Sequence, residues 1–69
     1  MKKFIRNRSA RTFLMKDGGW TNNIAQAWQF DGHDEVVRAR NTFQLKDVEI
    51  YYSFKDEDMP QYDFCVPID

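Results

Sequence analysis

The sequence predicts an α+β fold: a mostly antiparallel four-stranded sheet carrying two short helices on one face, in the order strand, strand, helix, helix, strand, strand. Three observations predict it. Val48, Ile50, Tyr52 and Phe54 alternate with Glu49, Tyr51 and Ser53, and Tyr62, Phe64, Val66 and Ile68 alternate with Gln61, Asp63, Cys65 and Pro67. Period-two alternation buries one face of a strand and wets the other. The connector Asp56-Glu57-Asp58-Met59-Pro60 is too short for a crossover helix, so these two strands form an antiparallel hairpin. Between Trp20 and Phe43, apolar residues recur at helical spacing instead.

The elements follow in chain order. Lys3 to Ile5 opens a strand, and Asn7-Arg8-Ser9-Ala10 is a turn, since Asn and Ser bond their own nearby backbone. Arg11 to Lys16 supplies the returning strand through Thr12, Phe13 and Leu14. Asp17-Gly18-Gly19 ends it, because glycine accepts the positive φ that tight turns need. Thr21 then caps a helix over Asn22 to Trp28, with Ile24, Ala27 and Trp28 on one face. Asp31 caps a second helix running to about Asn41. Asp34 and Glu35 at its start and Arg38 and Arg40 near its end suit the helix dipole, and Val36, Ala39 and Phe43 line its buried face. Pro67 cannot donate to a ladder, so the last strand is expected to be an edge or to fray there. Both helices are expected on one face of the sheet, with the opposite face open to water.

The chain of 69 residues is read as a single domain, 1–69, near the lower end of what folds unaided. Cys65 is the only cysteine, so no disulfide can form within the chain, and His33 is the only histidine, so no Cys/His set can hold a structural metal. Stability must come from apolar side chains, and six Phe, three Tyr and two Trp supply large buried area per residue. Met1-Lys2-Lys3 is followed at once by Arg6, Asn7 and Arg8, with no apolar stretch behind it. The expectation is therefore a cytoplasmic protein without a secretory signal or membrane span.

The net charge of −1 hides an asymmetry. Residues 1–30 carry six basic side chains against Asp17 alone, whereas residues 31–69 carry four basic and ten acidic ones. Two function classes follow from it. Carboxylates along the third and fourth strands and their connection form an acidic face made of Glu49, Tyr51, Asp56, Glu57, Asp58 and Asp63. That face suits a protein partner with a basic surface, and carboxylates so spaced can imitate a phosphate backbone. Alternatively, Arg6, Arg8, Arg11 and Lys16, interleaved with Phe4, Phe13 and Trp20, make a basic aromatic hairpin of the kind that holds single-stranded nucleic acid.

Catalytic and metal chemistry find little support. Asp63 close to Cys65 raises rather than lowers a thiol pKa, and nothing local supplies a base. Asp31, His33, Asp34 and Glu35 are explained by capping and dipole complementation, and successive helical residues diverge instead of converging on an ion. Asp56, Glu57 and Asp58 at a hairpin tip have no cleft to split their pKa values. Lys16-Asp17-Gly18-Gly19 lacks the spacing of a phosphate loop. No cofactor and no metal are expected, and the chain is read as a non-enzyme.

The stretch from Phe4 through Phe30, with Asp17-Gly18-Gly19-Trp20-Thr21 followed by Ala25, Ala27 and Phe30, and then Leu45-Lys46-Asp47-Val48-Glu49-Ile50, resembles a family of short bacterial and phage proteins. The resemblance covers roughly residues 3–50 and departs at Ala10, where the family often has Gly. No activity is attached to that family. The resemblance implies a compact accessory protein of bacterial or phage origin. By analogy with other small phage proteins, it points to an anti-CRISPR-like inhibitor that docks through the acidic C-terminal surface.

Overall fold

A computed structural model describes residues 1–54 and 58–68. It contains β1 (Lys2–Asn7), β2 (Phe13–Leu14), β3 (Trp20–Thr21), α1 (His33–Thr42), β4 (Val48–Ser53) and β5 (Phe64–Pro67), with 3₁₀ turns at Ile24–Gln26 and Pro60–Tyr62. The strands form one antiparallel sheet of five, in the order β3-β2-β1-β4-β5.

The predicted architecture is therefore corrected: one helix and five strands replace two helices and four strands. Three backbone choices explain the change. Trp20 and Thr21 pair with Leu14 and Phe13 across the glycine turn, so Thr21 belongs to a strand and is no helix cap. Asn23 caps the local turn instead, its side chain accepting from the Ala25 N–H, while Thr21 Oγ1 accepts from the Asn23 N–H at 3.0 Å. Finally, the donors a helix would need go elsewhere. The Trp28 N–H bonds to the Leu14 carbonyl and the Phe30 N–H to the Lys3 carbonyl, both at 2.8 Å, which draws this segment along the sheet. Asn and Ser residues compete for backbone groups in this way, and seven residues are too few to nucleate a helix without tertiary help.

The remaining turns follow their residue types. Asn7 Oδ1 accepts from the Ser9 and Ala10 N–H groups. Between β2 and β3, Gly18 adopts φ +90°, a conformation that L side chains rarely take, and Asp17 Oδ1 accepts from the Gly19 N–H at 2.8 Å. α1 begins after Gly32, which offers no side-chain cap; Asp31 stays outside the helix. Asp34 and Glu35 occupy its first turn and Arg40 its last.

β1 and β4 pair along their whole length, Lys2 opposite Ser53 through Asn7 opposite Val48. Alternation then splits their side chains between two faces. Under α1 lies the main core: Ile5, Leu14, Phe30, Val48, Ile50 and Ile68 with Val36 and Ala39 of the helix. Trp28 packs on this core, stacking on Phe30 with ring centroids 4.4 Å apart. The other face is not open at its centre. Phe4 and Phe13 are only 4 % and 9 % exposed, packed edge to face with each other and, for Phe13, with Tyr51.

Three further burial expectations are corrected. Phe43, placed on the buried face of the helix, is 39 % exposed at its C-terminal end, where it touches Trp28 edge-on. Phe64 and Val66, placed beneath the helices, are exposed as well. A ten-residue helix is about 15 Å long, and the core it covers draws on β1, β2 and β4 and leaves Phe64 and Val66 uncovered. Conversely Ser53, expected on the wet face, is buried.

Two substitutions test this packing by urea denaturation. Ile50→Val is expected to lose about 1 kcal/mol by removing one methyl from a closed core. Gly18→Ala is expected to lose about 1 kcal/mol or more, because φ +90° disfavours a side chain and its Cβ would stand 3.0 Å from Phe43 Cε1.

Candidate functional site

The sheet face opposite α1 brings together residues from both predicted surfaces: Arg6 and Arg8 from one, Glu49, Tyr51 and Asp63 from the other. Register dictates this: Arg6 stands directly opposite Glu49 on β4, and Tyr51 opposite Phe4 on one side and Cys65 on the other. Opposite charges facing each other across an antiparallel ladder attract, and here they meet. Arg6 Nη1 lies 3.5 Å from Glu49 Oε2 and Arg8 Nε 4.0 Å from Glu49 Oε1. The Glu49 side chain is only 14 % exposed.

Arg6 is the centre of this cluster. Its Nη1 also donates toward Cys65 Sγ at 3.5 Å, and its guanidinium carbon sits 5.7 Å from the Tyr51 ring centroid. Its buried Nε meets no acceptor among the described residues. Tyr51 in turn donates its hydroxyl to Asp63 Oδ2 at 2.8 Å, and Asp63 Oδ1 accepts from the Phe54 N–H at 2.6 Å. Asp63 thus ties the end of β4 to the start of β5 with both oxygens.

Three of the six predicted acidic-face residues, Glu49, Tyr51 and Asp63, are therefore engaged within the fold. Asp58 is exposed on the β4–β5 connection, with φ +56°. Asp56 and Glu57 lie outside the described residues. Of the predicted basic set, Arg6 is held by Glu49, and Arg8 is exposed with its Nε at the rim of the same carboxylate. Arg11 and Lys16 are exposed on the two turns that flank β2. Phe4 and Phe13, the aromatics proposed to stack on bases, are buried; Trp20 is half exposed on β3.

The groups of the cluster are bonded to one another within the fold. Burial is the main cause that raises the Cys65 thiol above its usual pKa; Glu49 adds to the rise and the Arg6 contact opposes it. A thiol raised in this way is a poor nucleophile at neutral pH. His33 begins α1, on the other side of the sheet from Cys65. Among the described residues no group of three His, Cys, Asp or Glu side chains converges as a metal site.

A groove of about 590 Å³ opens between the end of α1 and β4, with Leu45, Val48 and Ile68 as its apolar floor and Arg40, Lys46 and Asp47 at its rim. Asp47, at φ +57°, accepts a hydrogen bond from the Ser9 hydroxyl and a second, through its carbonyl, from the Arg8 N–H. None of the predicted site residues lines this groove.

What the sequence reading missed lies on the C-terminal hairpin. Met59 is 45 % exposed, Tyr62 60 %, Phe64 46 % and Val66 40 %. Alternation alone put the last three on the buried side; Phe64 and Val66 are uncovered because β5 is the edge strand, and Tyr62 lies outside the strand on a 3₁₀ turn. Phe64 is held in place by stacking on Tyr52, centroids 4.7 Å apart at 18°, and on Phe54 at 6.1 Å.

No helix among the described residues is long and apolar enough to cross a membrane. No protein family matches the chain, and neither a curated protein nor a solved structure matches it.

Tyr51 gives the cluster a pH signature. Burial, with the Asp63 carboxylate as the next cause, pushes its phenol up from 10.0 to about 12. The folded state thus favours the protonated phenol, and this contribution is complete below pH 10.0 and lost as pH rises through about 12. Tyrosinate absorbance should show one late titration that Tyr51→Phe removes, and that variant should lose less stability across the same window.

Proposed function

We propose that this protein is a non-enzymatic interaction module that docks on a macromolecular partner with a basic surface, through the tip of its C-terminal hairpin. One observation carries the reading: Tyr62, the most exposed large apolar side chain of the described residues, stands beside exposed Met59 on a short 3₁₀ turn that follows the acidic connection ending at Asp58. Exposed Tyr and Met are among the side chains enriched at interfaces, with Tyr prominent among energetic anchors, and acidic groups beside them suit a polar rim that steers a basic partner. Asp56 and Glu57 add two formal charges to Asp58 in the sequence.

The tip replaces the sheet face as the proposed surface because Glu49 and Asp63 already commit their oxygens to Arg6, Arg8, the Tyr51 hydroxyl and the Phe54 N–H. Imitation of a phosphate backbone along the sheet would need those carboxylates free. The nucleic-acid reading loses more: Arg6 is paired, and Phe4 and Phe13 are buried. Its remaining residues are Arg8, Arg11 and Lys16 with Trp20.

A photoreactive residue in place of Tyr62 should crosslink the partner in host extract. Against the partner so identified, Tyr62→Ala is expected to weaken binding about tenfold, some 1.4 kcal/mol. Reversing the charges of Asp56, Glu57 and Asp58 together should slow association and flatten its salt dependence. Normal binding by both variants would remove the tip from consideration. Tight, salt-sensitive binding of single-stranded DNA or RNA, abolished by replacing Arg8, Arg11 and Lys16, would establish the nucleic-acid reading instead.

A further inference from the structure

We infer that β5 is a self-association edge, on which a second copy of the chain pairs its own β5 antiparallel about a two-fold axis at Cys65. The inference uses Phe64 and Val66, not the hairpin tip, and stands apart from the docking proposal.

The free edge of β5 is defined by ladder parity. Ile68 donates its N–H to the Val48 carbonyl, so the alternate residues Val66 and Phe64 also turn their backbone groups toward β4. Cys65 and Pro67 therefore turn theirs outward, where β5 is the last strand of the sheet. Pro67 has no N–H to present there, which suits an edge position. The outward row offers the Cys65 N–H and carbonyl, the Pro67 carbonyl and the groups of Asp63.

An antiparallel two-fold through Cys65 matches this row to itself. Each Cys65 exchanges two hydrogen bonds with its copy, and each Asp63 N–H meets a Pro67 carbonyl; proline has no N–H to return, so each Asp63–Pro67 pair makes one bond where a full ladder would make two. The same register sets Phe64 of each copy directly opposite Val66 of the other. Aromatic and β-branched side chains facing each other across strands are a favourable pair. Asp63 faces Pro67, so no like charges stand opposite one another. A shift that set Asp63 against Asp63 would lose that advantage.

Three features favour a second copy as the occupant. Phe64 and Val66 are exposed on the helix side of the sheet, beyond the reach of α1, and pairing would join the two stripes into one apolar strip. Phe64 is already oriented by Tyr52 and Phe54, so little side-chain freedom is lost on association. At the other end of the sheet, β3 has only two residues, so β5 has no comparable edge to pair with head to tail. The arrangement closes as a dimer with a continuous ten-stranded sheet instead of growing into a fibre.

Sedimentation velocity over a concentration series tests the inference. The natural chain is expected to shift from monomer toward dimer as concentration rises. Val66→Lys places a charge opposite Phe64 on each side of the axis and should remain monomeric, with unchanged circular dichroism and melting at dilute concentration. At alkaline pH, where the Cys65 thiolate forms, a short bismaleimide should join the natural chain covalently through Cys65 in the same concentration range, a readout that does not depend on the variant folding. A chain that stays monomeric at the concentrations of an NMR sample would overturn the inference. So would a Val66→Lys dimer as tight as the natural one, or a dimer that Cys65 does not crosslink. In the dimer, the Tyr62→Ala substitution should leave association unchanged, which separates this interface from the docking tip.

Discussion

The pairing of β1 with β4 is the constraint on which the rest of the structure depends. The two strands join residues more than forty positions apart and run together from Lys2 opposite Ser53 to Asn7 opposite Val48. Everything else attaches to this ladder. Ile5, Val48 and Ile50 form the floor on which Val36 and Ala39 of the helix sit. On its outer flank β1 is shared between β2, opposite Arg6, and the segment around Phe30, opposite Lys3. In a chain this short, a long central ladder also supplies most of the backbone partners that buried strands need.

The same ladder brings charges from the two halves of the chain into contact. The basic N-terminal segment becomes β1, the acidic C-terminal segment becomes β4, and their register places Arg6 against Glu49. Parts of the two candidate surfaces thus meet on one face of the sheet: Arg6 and Arg8 from the basic set with Glu49, Tyr51 and Asp63 from the acidic one. The aromatic residues around the pair complete this second, smaller core: Phe4, Phe13 and Tyr51 pack edge to face and the Arg6 guanidinium lies over Tyr51. Apart from Arg6 Nε, the polar atoms described there are tied to specific partners, which favours register fidelity, since a one-residue slip would send Arg6 and Glu49 to the opposite side.

With both sheet faces occupied at their centres, surface for binding remains at the margins. The C-terminal hairpin extends past the helix and leaves Met59, Tyr62, Phe64 and Val66 uncovered. Natural sheets protect such edges with prolines, charges or short strands. β5 has one proline and four residues, a partial protection that leaves the Cys65 amide and the apolar pair beside it accessible.

Much was legible in the residues themselves. Alternation identified β4 and β5, Asn7 and Gly18 identified the two turns, and the acidic start and basic end of α1 identified that helix, because each of these depends on neighbours within a few positions. The Ile24–Trp28 segment was not legible as a strand-bound turn, since its helical spacing is real and only the distant carbonyls of Leu14 and Lys3 divert its donors. The alternation of Phe64 and Val66 likewise states which side of the strand they share, but not whether anything covers that side. Strand order, helix reach and the meeting of Arg6 with Glu49 are long-range properties. They are set by which surfaces pack together, and no local pattern in the chain encodes them.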